Sequence, residues 1–173
     1  SINRYNTSSI TFNKYIRMKK VLIALDYEPP AQKIAEAGYT LAKGMNAEIV
    51  LLHVLSDANY YASLNYFPVM GYEGFNNIST LPVENIDDLR KTAQDFLDKS
   101  KQHLNDDTIT TVIKEGDFAE GIIATATETN ADVIVMGSHG RRGLDKMLMG
   151  SVAERVLHKS TVPLFIIPTK SVE

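Results

Sequence analysis

Residues 131–151 read "ADVIVMGSHGRRGLDKMLMGS". An apolar run leads into Gly137, and glycines return at 140, 143 and 150 with Arg141, Arg142 and Lys146 between them. A short apolar run bounded by glycine reads as a buried strand. The residues that follow, Ser151 to Lys159, read as a short helix. Strand, glycine loop and helix together have the parts of a phosphate cradle. Glycine lets main-chain N–H groups approach an anion without a Cβ in the way. The helix start turns its unbonded N–H groups and positive dipole end toward the same place. The Ser151 hydroxyl suits either a phosphate or a plain N-cap. The competing reading is a basic surface turn, in which Arg141 and Arg142 are solvated charges.

The glycine spacing excludes three familiar sites. GxxxxGK[ST] is absent, so this is not a P-loop. GxGxxG is absent, and the loop follows the fourth strand rather than the first, so a dinucleotide fingerprint fails. Ser138 has Met136 two residues before it, not glycine, so a nucleophile elbow fails too.

Working outward, "KVLIALD" (Lys20–Asp26) and "AEIVLLHVL" (Ala47–Leu55) are further buried strands. Between them Ile34, Ala35, Ala37, Leu41 and Ala42 recur at helical spacing, with Gly44 as the expected stop. Residues 56–82 show no clear period, carry five aromatic residues between 60 and 72, and have the length of a lid or binding loop. Val83–Leu104 is an amphipathic helix, and "TITTVIKEG" (Thr108–Gly116) alternates like an edge strand. Asp117 is expected to cap a helix running through Thr129, and "VPLFIIP" (Val162–Pro168) is the fifth strand. The order βαβαβαβαβ implies a parallel sheet with helices on both faces and right-handed crossovers.

A chain of 173 residues suits one domain with a full core. The expected division is a leader or disordered extension over 1–17, ahead of Met18, and a single domain over 18–170; a short ordered arm is the alternative for the first segment. The net charge of −3 argues against nucleic-acid binding by bulk electrostatics. The absence of cysteine excludes disulfides, zinc–thiolate sites, Fe–S clusters and cysteine nucleophiles, and fits a cytoplasmic setting. No stretch approaches the ~18–20 apolar residues that span a bilayer.

Gly137, Gly140, Gly150 and Ser151 form G-x2-G-x9-G-S. With "VLIALD", "EIVLLHVL", "EGDFAEGI" and "VPLFIIP", this pattern resembles the universal stress protein family over residues 18–168. The resemblance implies an open five-stranded parallel sheet of order 3-2-1-4-5, adenine nucleotide alpha hydrolase-like, with Asp26 and Gly137 facing each other at the switch point. It also implies membership of the subgroup that binds ATP. Asp26 would then contact the ribose and the Val54 backbone the adenine edge. Met136 and Gly137 would line ribose and base, and Gly140, Gly150, Ser151 and Val152 would hold phosphates bridged by Mg²⁺. Ala24, Leu25, Arg141 and Ala153 complete the candidate set, with no direct metal ligand. The chain departs from the family pattern at "YEPPAQ" after Asp26, where bulky Tyr27 would narrow or cap the site, and at Ala153, which lacks a hydroxyl. The resemblance further implies a homodimer through Val162–Pro168, centred on Leu164 and Ile166 or their alternates.

Hydrolysis needs an oriented nucleophile and a base or metal to position it, and no such base is identifiable. No acid partner is identifiable in the sequence for His139, His53 reads as a core or rim histidine, and His103 and His158 as exposed helix residues. No catalytic residue is assigned. The expected function is a regulatory, ATP-binding homodimer of the stress response. The alternatives are a slow Mg-dependent ATPase or phosphotransferase, a nucleotide-free dimeric scaffold and a flavin-binding protein.

Overall fold

The structure, a computed structural model, describes residues 20–28, 30–56, 86–139 and 149–169. The elements are β1 (Lys20–Ala24), α1 (Ala31–Gly44), β2 (Glu48–Leu55), α2 (Ile86–Leu104), β3 (Thr110–Glu115), α3 (Phe118–Glu128), β4 (Val133–Gly137), α4 (Ser151–Lys159) and β5 (Leu164–Ile167). All five strands are parallel, in the order β3-β2-β1-β4-β5. The order expected from the resemblance is the order found.

Strand alternation divides the core into two layers. Val21, Ile23, Leu51 and Val135 face α1 and α2, where they meet Ile34, Leu89 and Phe96. Leu22, Leu52, Ile134 and Met136 face α3 and α4, where they meet Ile122, Ala153 and Val156. Val21, Leu22 and Ile23 are consecutive and all fully buried. That is why "VLI" shows no polar alternation: a central parallel strand is covered on both faces. Each such side chain contributes about 1.5–3 kcal/mol of transfer free energy. β3 lies at one sheet edge, as its alternation suggested, and β5 at the other.

Local chemistry sets the element ends, with three corrections to the sequence reading. β1 stops at Ala24, two residues short of Asp26, because the chain turns away once the Leu25 N–H has bonded the Leu52 carbonyl at 2.9 Å. Gly44 is the last helical residue of α1 rather than its stop; the left-handed conformation falls to Asn46 (φ 52°). Asn105 and Asn130 play the same part after α2 and α3. Asparagine tolerates this region better than other side-chain-bearing residues. The N-cap of α4 is Gly150, and Ser151 is its first helical residue.

Asp117 caps α3 as expected, accepting the Glu120 N–H at 3.0 Å. It also takes a two-pronged contact from Arg155 of α4, both prongs 2.9 Å. The Arg155 guanidinium is the main reason its carboxyl sits below the usual range. Removing the cap while leaving the exposed pair to water sets the cost. Asp117→Ala is expected to destabilise the fold by about 1–2 kcal/mol in urea unfolding, with Asp117→Asn recovering most of the loss.

Candidate nucleotide site

The carboxyl ends of β1, β2 and β4 open onto one pole of the sheet, where the chain leaves β1 for α1 and reaches α4 after β4. β1 and β4 are neighbours whose helices lie on opposite faces, so this is the switch point of the sheet.

On the β1 side, Leu25 is held at both main-chain groups. Its N–H bonds Leu52, and its carbonyl accepts from His53 Nδ1 at 2.8 Å. Its side chain is buried in the core, so only its backbone is open to the switch point; Ala24 before it is half-buried. Asp26 follows, half-buried, with Oδ1 accepting the Glu28 N–H at 3.3 Å. Burial raises its carboxyl from 3.8 to about 6, against the opposing pull of the Glu28 and Asp26 main-chain N–H groups.

Tyr27 does not narrow the site. Its ring turns inward, 4.1 Å from the His53 ring centroid and 5.1 Å from that of Phe96, which it meets edge-on. The three rings form a buried cluster beneath the Asp26 turn. His53 is a core histidine that burial lowers to about 4, so it is neutral at physiological pH. With Nδ1 bonded to a carbonyl, the proton sits on Nδ1. His53 Nε2 has no hydrogen-bond partner among the described residues.

On β2, the Leu52 carbonyl points to β1 and the Leu55 carbonyl to β3, where it accepts the Gly116 N–H. Alternation therefore turns the Val54 N–H and C=O toward β1. The β1–β2 ladder ends at Ala24↔Leu52, so these groups lie past its last pair. The Val54 side chain is committed to the core: a Cβ on Gly121 of α3 would come within 2.9 Å of it.

Met136 is buried in the α3–α4 layer. Gly137 is a glycine for a reason the sequence reading missed. A Cβ there would meet Ile34 Cδ1 at 2.7 Å and Thr169 Cγ2 at 2.9 Å, so close packing by itself favours glycine at this position. Beyond it, Ser138 and His139 are buried and tied to the end of β5. The Ser138 N–H bonds the Ile167 carbonyl at 2.8 Å, and the Ser138 carbonyl accepts the Gly150 N–H at 2.7 Å. Thr169 adds hydrogen bonds to both residues. His139 Nδ1 lies 2.9 Å from Ser138 Oγ.

Gly150 opens α4 in extended backbone and, among the described residues, no side-chain hydrogen bond caps the helix. The first intrahelical bond starts from the Glu154 N–H, which reaches the Gly150 carbonyl. The N–H groups of Ser151, Val152 and Ala153 precede that bond and lie at the positive end of the helix dipole. Ser151 is exposed and Val152 half-buried, while the Ala153 side chain is buried, leaving only its main chain for a ligand. Gly140, Arg141, Arg142, Gly143 and Lys146 lie outside the described residues, as do Pro29 and nearly all of the 56–82 segment. Among the described residues, no group of three or more histidine or acidic side chains stands ready to hold a metal ion.

A 3-2-1-4-5 parallel sheet whose first, second and fourth strands end near a glycine-capped helix defines a Rossmann-like α/β protein with its switch point between β1 and β4. The chain belongs to the universal stress protein family, whose sequence profile matches residues 18–168. It is 29% identical over 160 residues to the universal stress protein MJ0577 of Methanocaldococcus jannaschii, covering 90% of this chain and 98% of that one. It is 30% identical over 154 residues to YxiE of Bacillus subtilis, covering 86% and 97%. The solved structure of MJ0577 superposes with a TM-score of 0.68, over 91% of this chain and all of that one. Two more distant universal stress proteins of the same fold were solved with nucleotides. One holds cAMP (18% identity, TM-score 0.56, 88% of this chain and 98% of that one). The other, from Archaeoglobus fulgidus, holds dAMP (15% identity, TM-score 0.56, 88% and 99%).

Proposed function

We propose that this universal stress protein binds ATP with Mg²⁺ at the switch-point pole and acts as a regulatory homodimer of the stress response in the cytoplasm, with residues 18–170 as one domain preceded by an extension. The observation that carries the reading is the glycine cap of α4. A helix start whose N-cap is a glycine, with no side chain of its own to bond the first N–H groups, set beside the ends of β1 and β4, suits an anion from outside the chain. The cAMP and dAMP complexes of the distant family members support an adenine nucleotide as that anion. Asp26 would accept from ribose hydroxyls and the Val54 main chain would read the adenine edge. Met136 and Gly137 would back the base and ribose. Gly140, Arg141, Gly150, Ser151 and Val152 would hold the phosphates, whose oxygens would also carry the Mg²⁺.

The test is calorimetric. Mg-ATP is expected to bind saturably to the purified chain, and Gly140→Val is expected to weaken it at least about tenfold, or ~1.4 kcal/mol. Acid release followed by mass spectrometry identifies any nucleotide carried through purification. Turnover well above background would make the protein an ATPase. No heat in either protein would leave the dimeric scaffold as the reading.

The homodimer reading draws support from β5, which lies at the sheet edge with no strand beyond it among the described residues. Leu164 and Ile166 pack inward on the α3–α4 layer, whereas Phe165 on the other face is 41% exposed. We therefore put the alternate residue, Phe165, at the centre of the interface. An unpaired edge with an exposed aromatic side chain invites pairing. Sedimentation is expected to show a dimer at micromolar concentration and a monomer for Phe165→Asp.

A further inference from the structure

Thr169 lies two residues past β5 and outside the set of candidate ligand-binding residues. Its contacts are unusually concentrated for a half-buried side chain at a strand end. Its Oγ1 accepts the His139 N–H and donates to the His139 carbonyl, both at 3.2 Å, so one hydroxyl holds both main-chain groups of one residue. Its own N–H donates to Ser138 Oγ at 3.2 Å, and the two hydroxyl oxygens stand 3.3 Å apart. Its methyl group occupies the space that a Gly137 Cβ would take. Ser138, held in this way, gives its carbonyl to the Gly150 N–H. The two described ends of the glycine segment, 137–139 and 149–150, are thus joined to each other at Ser138 and anchored to the sheet at Thr169.

We propose that Thr169 is a positioning residue for the anion-binding end of α4: its hydroxyl fixes the backbone at His139, and through Ser138 it sets where Gly150 and the first N–H groups of the helix stand. The effect on ligands rests on the nucleotide reading given above. It falls on the phosphates, because the tie reaches α4 and the end of β4. Asp26 and Val54 belong to other strand ends and have their own supports in His53, Leu52 and Gly121. A ligand with phosphates should therefore feel the loss of this hydroxyl more than one without them.

Thr169→Val keeps the branched shape, and with it the methyl against Gly137, and removes the hydroxyl. Thr169→Ser does the reverse. Hydrogen exchange at the His139 and Gly150 amides reads the tie directly. Protection of both is expected to fall in Thr169→Val and to return in Thr169→Ser. Calorimetry with ATP and with adenosine reads the consequence. ATP should bind about tenfold more weakly to Thr169→Val, adenosine within about twofold of the parent, and Thr169→Ser should restore ATP. Equal losses for both ligands, or unchanged amide protection in Thr169→Val, would overturn the assignment. A parent chain that binds neither ligand would sink the nucleotide reading alone. In that case the two amides still decide whether Thr169 positions the helix start.

Discussion

Phe96→Ala is expected to destabilise the protein by about 3–5 kcal/mol, the largest loss among the substitutions considered. Phe96 is fully buried in the layer under α1 and α2. Its removal subtracts the transfer free energy of a large ring and leaves a cavity that a close-packed interior only partly closes. Its place adds a second effect. The ring meets both Tyr27 and His53 edge-on, and His53 holds the Leu25 carbonyl one residue before Asp26. The void would open beneath the turn that carries the carboxylate. Urea unfolding should show a lower midpoint with an unchanged slope, and the melting temperature should fall by roughly 8–15 °C. Phe96→Leu, which keeps most of the volume, should cost about 1–1.5 kcal/mol. An alanine variant within 1 kcal/mol of the parent would mean that the cluster does not support the turn.

Asp26→Asn is expected to make the protein more stable at pH 8 and to leave it nearly unchanged at pH 4. The carboxyl is raised from 3.8 to about 6 in the folded chain. The native state therefore binds this proton more tightly than the unfolded one. The stability linked to Asp26 is fully present below about pH 4 and is lost as pH rises through 6. The difference of roughly two pKa units corresponds to at most about 3 kcal/mol, and partial hydration of the side chain brings the expectation to about 1–2 kcal/mol. Denaturation midpoints from pH 4 to 8 provide the check. The parent should lose stability relative to the variant across pH 4–7, and parallel curves would refute the raised value. On the nucleotide reading, the same substitution replaces one carboxylate oxygen with a donor and should weaken ATP binding. Stabilisation with loss of binding is the pattern of a residue kept for its ligand.

The strands and the two-layer core were legible because their signals are local, whereas the sheet order came from the family resemblance. Runs such as "KVLIALD" and "EIVLLHVL" name buried strands by composition, and βα alternation leaves few arrangements open. Asp117 was legible as a cap because its partner, the Glu120 N–H, is three residues away. The misreadings share a cause of the opposite kind. Tyr27 looked like a lid because its ring partners, His53 and Phe96, are 26 and 69 residues distant. The packing role of Gly137 was not legible because the Ile34 and Thr169 atoms beside its Cβ position come from distant parts of the chain. Gly44 lost the left-handed position to Asn46 through a two-residue shift that periodicity does not resolve. The helix range Ser151–Lys159 was legible, while its N-cap fell at Gly150, one residue before the serine that reads as a cap. Nothing around "IIPTK" marks Thr169, whose partners lie about 30 residues upstream.

Parallel strands also give the molecule a polarity useful for tethering. β1 begins at Lys20, where its N–H and carbonyl pair with Asp132 at the pole where β4 starts. β5 ends at Ile167 at the other pole, beside Ser138 and the start of α4. A fluorophore or surface anchor joined ahead of Lys20 therefore leaves from the face remote from Asp26 and Gly150. One joined beyond Thr169 leaves from the rim of the pole that carries Asp26 and Gly150. Immobilised through the first attachment, the protein would offer that pole to solution; through the second, it would turn it toward the support.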